Sequence, residues 1–147
     1  MNLIDLTKKL GGFNTVTSGS STQDMADFIS NYLEGAGFII ELYPYVNETD
    51  GLKKVNLIAR KGPGNSRLAL LGHMDTVGFE GSWDEEHFGD PLKLTFRKTQ
   101  TAPLGIYCAR GVADMKLFLA IAMKAGEAIH EKDLKHSLAL CFTSDEE

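Results

Sequence analysis

The sequence predicts an α/β sandwich, a mixed and mostly buried sheet flanked by helices. Three observations predict it. Helix-period and strand-period apolar patterns succeed one another in the order α-α-β-β-β-α-β. The run Arg67 to Leu71 is almost wholly apolar, the pattern of a strand covered on both faces. Three polar segments, at 70–77, 109–116 and 143–147, each abut an apolar run, so their histidine and acidic residues fall at the ends of buried elements. In α/β sheets that is where ligands collect.

Residues 2–10 place Leu3, Ile4, Leu6 and Leu10 at helical spacing, and Gly11-Gly12 stops the run. Each of those glycines weakens the helix by about 1 kcal/mol. Phe13 to Val16 leads into a Ser/Thr/Gly loop. A second helix runs from about Thr22 to Glu34, with Met25, Ala26, Phe28, Ile29, Tyr32 and Leu33 repeating until Gly35-Ala36-Gly37 ends it. Phe38 to Tyr45 reads as a strand, Asn47 to Gly51 as a turn, and Lys54 to Arg60 as a second strand. The loop Lys61 to Ser66 precedes the third strand, Arg67 to Leu71. About 78–103 is irregular, with Leu92, Leu94 and Phe96 alternating as a surface strand. Asp114 opens a helix that reaches about His130 and is apolar nearly all round, and His136 to Phe142 is the last strand.

Composition excludes several classes of function. A chain of 147 residues, 43% apolar and 24% charged, is of one-domain size and globular composition. A net charge of −5 without a basic stripe argues against nucleic acid as a partner. The N-terminal apolar stretch carries charges, so it reads as neither signal peptide nor membrane span. Cys108 and Cys141 lie far apart in apolar contexts and read as free thiols of a reducing, cytoplasmic compartment. Gly62-Pro63-Gly64 is no phosphate loop, since no Gly-Lys-Ser/Thr follows it.

The polar segments hold His73, Asp75, Asp114, Glu146 and Glu147. His73 and Asp75 are two apart at a strand end, where alternation lets the carboxylate hold the imidazole from behind. Asp114 at a helix N-terminus is favoured by the dipole and has two oxygens with which to bridge two cations. Taken singly, each has an ordinary structural role: a hydrogen-bonded histidine, an N-cap, a solvated acidic pair. One histidine and four carboxylates at the ends of consecutive buried elements form a set that zinc accepts.

The segments Gly72-His73-Met74-Asp75-Thr76-Val77, Arg110-Gly111-Val112-Ala113-Asp114-Met115-Lys116 and Asp145-Glu146-Glu147 resemble, in order, the His-x-Asp, Arg-Gly-x-x-Asp-Met-Lys and acidic-pair motifs of the metallopeptidase M20 family. That family includes acetylornithine deacetylase and succinyl-diaminopimelate desuccinylase, and the run Asp114 to Ala120 is most similar to the deacetylase branch. The resemblance implies a zinc-exopeptidase-like fold and two zinc ions per complete site, with cobalt or manganese as substitutes. It implies His73 on one zinc, Asp114 bridging both, Glu147 on the other, Glu146 as general base and Asp75 orienting His73. The activity implied is hydrolysis of the amide of a small N-acyl amino acid, in a homodimeric cytoplasmic parent. A dipeptidase or carboxypeptidase of the same family, or a truncated binding module without catalysis, are the alternatives.

Ala109 and Leu117 stand where the family usually has Gly. Two further family ligands, an acidic residue and a histidine, and the inserted dimerisation domain have no counterpart in residues 1–147. The expectation is therefore an incomplete domain, the N-terminal portion of a catalytic domain, inactive alone and prone to associate through an uncovered sheet edge.

Overall fold

The computed structural model describes residues 1–147. In chain order its elements are α1 (Leu3–Gly11), α2 (Gln23–Gly35), β1 (Ile39–Val46), β2 (Lys53–Lys61), β3 (Ser66–His73), α3 (Glu85–Phe88), β4 (Thr95–Arg97), β5 (Ile106–Cys108), α4 (Leu117–Ala128) and β6 (Ser137–Thr143). Four strands form the main sheet in the order β1-β2-β6-β3. The first three are antiparallel, while β3 and β6 run parallel, with Leu70 opposite Leu140 and His73 opposite Thr143. This is the mixed sheet flanked by helices that the sequence predicts. Strand β1 is an edge, which is where its Pro44 is tolerated.

One core holds the helices to the sheet. The register pairs Leu57 with Phe142 and Ala59 with Leu140, so these four share one sheet face. Against them pack Leu6 and Leu10 of α1, Met25, Ile29 and Leu33 of α2, and Leu119 and Met123 of α4, all fully buried. Asn2 caps α1 by accepting the Asp5 N–H at 2.9 Å.

Four expectations are corrected. Strand β3 is not covered on both faces: it is an edge bonded only to β6, and Leu68 and Leu71 are 60% and 65% exposed. Within the run Leu70 packs against the core, and just beyond it a Cβ on Gly72 would stand 2.7 Å from Leu119 Cδ2 of α4. Asp114 does not open the long helix, which starts at Leu117. It sits in a wide turn, Val112–Lys116, with extended backbone angles (φ −127°, ψ 94°), three residues upstream. That helix is also less enclosed than its composition suggests, since Ile121 is exposed. In the region read as irregular, the surface strand begins at Thr95 and pairs with β5. The short α3 precedes it, with Trp83 and Phe88 in ring contact at 5.4 Å.

Candidate metal centre

Parallel pairing of β3 and β6 sets their C-terminal ends side by side, and the Met74 N–H donates to the Thr143 carbonyl at 2.7 Å just beyond. His73 therefore ends one strand beside the segment that carries Glu146 and Glu147. The turn holding Asp114 is brought to the same edge by two contacts. Gly111, at φ 71°, packs so closely that a Cβ there would meet Thr76 Cγ2 at 2.2 Å. The buried Lys116 Nζ donates to the Phe13 carbonyl at 2.8 Å, and burial pushes its pKa down to about 8.

His73 is nearly enclosed, 5% exposed. Its Nδ1 lies 3.0 Å from the Asp75 carbonyl oxygen and 3.5 Å from Asp75 Oδ1. Its Nε2 faces outward to Asp114 Oδ1 at 3.1 Å and Glu146 Oε2 at 3.8 Å. Burial lowers the imidazole pKa, but the hydrogen bond to Asp114 and the charges of Asp75 and Glu146 outweigh it, and the net shift is upward. Ligand atoms of His73, Glu146 and Glu147 lie within 4.8 Å of one another. Asp114 joins this group through His73, with its side chain 78% exposed.

The structure thus brings all five sequence-predicted residues together, but it revises how Asp75 acts. Asp75 lies beyond β3, and its carbonyl, more than its carboxylate, meets the imidazole. The carboxylate is fully buried and does something else. Its Oδ2 accepts from Thr17 Oγ1 at 2.6 Å and from the N–H groups of Glu146 and Glu147 at 3.0 Å each. Oδ1 has no hydrogen-bond partner and is aimed at Nδ1. A metal on Nε2 is commonly backed by such an acceptor behind the ring. One imidazole nitrogen with three carboxylates at its outer face suits zinc and related divalent ions. Both cysteines are free.

The acidic segment is stitched down by residues that the sequence did not flag. Ser144 donates its N–H to Asn56 Oδ1 at 3.1 Å, its hydroxyl to the Val55 carbonyl, and accepts from Thr22 Oγ1 at 2.8 Å. The fully buried Lys54 donates to the Thr17 carbonyl at 2.7 Å and lies 4.0 Å from Asp145 Oδ1. Two clefts meet at Glu147. One, of about 500 Å³, is lined by Asn14, Thr17, Ser18, Ser20 and Glu80, and the other, of about 330 Å³, by Trp83, Arg110 and Asp114.

Residues 69–147 match the family profile described as Peptidase family M20/M25/M40. The chain is 40% identical over 128 residues to acetylornithine deacetylase of Proteus mirabilis, covering 86% of this chain and 30% of that protein. It is 36% identical over 134 residues to acetylornithine deacetylase of Myxococcus xanthus, covering 89% and 32%. The chain thus spans about a third of the length of these curated relatives. Among solved structures it resembles human carnosine dipeptidase 1 (TM-score 0.70, 16% identity, 97% of this chain and 31% of that one). It also resembles a dipeptidase from Saccharomyces cerevisiae (TM-score 0.65, 25% identity, 97% and 31%).

Proposed function

The chain belongs to peptidase family M20/M25/M40, and from that premise we propose that it carries the metal-binding and proton-transfer residues of an amidohydrolase acting on N-acyl amino acids. The observation that carries the reading is His73 Nε2, on a buried ring, facing Asp114 and Glu146 with Glu147 in the same cluster. His73, Asp114 and Glu147 are the residues assigned to hold the metal, zinc by the character of the donors. Held by these residues, a divalent ion would supply Lewis acidity, polarising an amide carbonyl and lowering the pKa of a water from 15.7 towards roughly 7.

The chain's own residues do the rest. Glu146, its side chain 64% exposed, takes a proton from the attacking water and returns it to the leaving amine. Asp75 holds the backbone of both glutamates and supports the His73 ring. Acetylornithine is the substrate that the names of the 36–40% identical relatives favour. Dipeptide cleavage is the second reading, favoured by the 25% identity to the yeast dipeptidase. We read residues 1–147 as the N-terminal portion of such a subunit, cytoplasmic and dimeric in its complete form, with further metal ligands supplied from outside these residues.

Paired variants test the assignment by zinc calorimetry. Glu147→Gln and Asp114→Ala lose binding, whereas Glu146→Gln retains it. Equal binding by Asp114→Ala and the parent chain would overturn the ligand set. Release of amine from N-acetylornithine at ordinary enzyme rates, on the order of 10 per second, by these 147 residues alone would overturn the placement of further ligands outside them.

A further inference from the structure

We propose that Thr17, from the loop after α1, is a positioning residue for the metal centre: through Asp75 it sets where Glu146 and Glu147 stand relative to His73. The inference rests on the metal reading above and adds a residue outside the three motifs. Thr17 is held at three points. Its N–H donates to the Thr76 carbonyl at 3.0 Å, its carbonyl accepts from Lys54 Nζ at 2.7 Å, and its hydroxyl donates to Asp75 Oδ2 at 2.6 Å.

The neighbouring residues leave this segment little freedom. Thr15 Oγ1 donates to the Met74 carbonyl at 2.7 Å and the Thr15 carbonyl accepts the Thr76 N–H at 3.0 Å, so residues 15–17 are laid along 74–76 like an added strand. Lys54, with no exposed surface, bonds Thr17 and stands near Asp145, which ties the same loop to the acidic segment from a second side.

The chemistry explains why a hydroxyl is placed there. A buried carboxylate is costly unless donors meet it. Asp75 Oδ2 has three, and Thr17 supplies the shortest. The other two are the amides of the pair that carries the ligand and the base. Without the Thr17 hydroxyl the carboxylate loses its shortest bond and is held only by the two amides it positions, so they lose an acceptor fixed from outside their own segment. Residues supporting metal ligands in this way commonly change metal affinity by about 10–100-fold when replaced.

The test uses the 147-residue chain with Thr17→Val, which keeps the shape and removes the hydroxyl, and Thr17→Ser, which keeps the hydroxyl. Cobalt(II) affinity is read from visible absorption, and amide hydrogen exchange is read on the metal-free chain. Thr17→Val weakens cobalt binding about tenfold or more and speeds exchange at Glu146 and Glu147, while Leu57 and Leu140 exchange as before. Thr17→Ser restores both. The proposal is overturned if Thr17→Val leaves affinity and local exchange unchanged, if Thr17→Ser is as impaired as Thr17→Val, or if exchange rises equally at Leu140, the mark of a folding role alone. Failure of the parent chain itself to bind cobalt would count against the metal reading, and the exchange comparison would still decide whether Thr17 holds the pair.

Discussion

Replacing Asp75 with Asn removes one negative charge from a fully buried position and changes little else. The carboxylate accepts three hydrogen bonds on one oxygen, from Thr17 Oγ1 and from the N–H groups of Glu146 and Glu147. Bonds to a charged acceptor contribute about 1.5–3 kcal/mol each and neutral ones about 0.5–1.5. Losing the charge therefore costs roughly 1–1.5 kcal/mol per bond, or about 3–4.5 kcal/mol for three. Burying an amide is less costly than burying a carboxylate, which returns part of this, so the net destabilisation comes to about 2 kcal/mol. Urea denaturation measures it as a lower midpoint at unchanged slope. The same substitution at Asp114, whose side chain is largely exposed, should leave stability within about 0.5 kcal/mol while abolishing metal binding. If Asp75→Asn also falls within about 0.5 kcal/mol, the carboxylate is not what holds the acidic pair, and the reasoning fails.

The two glutamates should separate by assay: Glu147→Gln lowers zinc affinity at least tenfold, and Glu146→Gln leaves it within a few-fold when both are titrated by calorimetry. Gly111→Ala meets a positive φ of 71° and a Cβ contact at 2.2 Å to Thr76, so thermal melting should show a loss of about 2–3 kcal/mol, with cobalt binding weakened in the fraction that folds. Burial holds the Lys116 ammonium at about 8, below its ordinary 10.5. The unfolded chain then keeps more protons than the fold between those values, and stability rises with pH across that window. From pH 8 to 9.5 the gain is about 2 kcal/mol, it disappears as pH falls back through 8, and urea melts of Lys116→Met should show none of it.

Much of the site was legible because its chemistry sits in contiguous residues. His73-Met74-Asp75, Asp114 and Glu146-Glu147 are local patterns, and the apolar runs before the first and last of them predicted strands. Their convergence follows from one parallel pairing, His73 beside Thr143. The local conformation of Asp114 was not legible. Apolar periodicity runs on from Met115, and nothing in it marks the wide turn that precedes Leu117. The exposure of β3 escaped for a different reason: an apolar run reads the same whether its second face is covered or open, and pairing partners are not a local property. Thr17 and Ser144 were hidden more deeply. Each is one hydroxyl in a Ser/Thr-bearing loop, distinguished only by a partner some 58 or more positions away in the chain. Lys54 reads in sequence as a solvated lysine at a strand start, and only the packing of residues 17 and 145 around it makes it buried.

X-ray absorption of the zinc-loaded chain tests the central claim most directly. With His73, Asp114 and Glu147 as ligands, the metal should show a first shell of nitrogen and oxygen at about 2.0–2.2 Å, with the outer scattering of a single imidazole that vanishes in His73→Ala. Sulfur scattering at about 2.3 Å, or an imidazole signal that persists in that variant, would place the ion elsewhere and contradict the account.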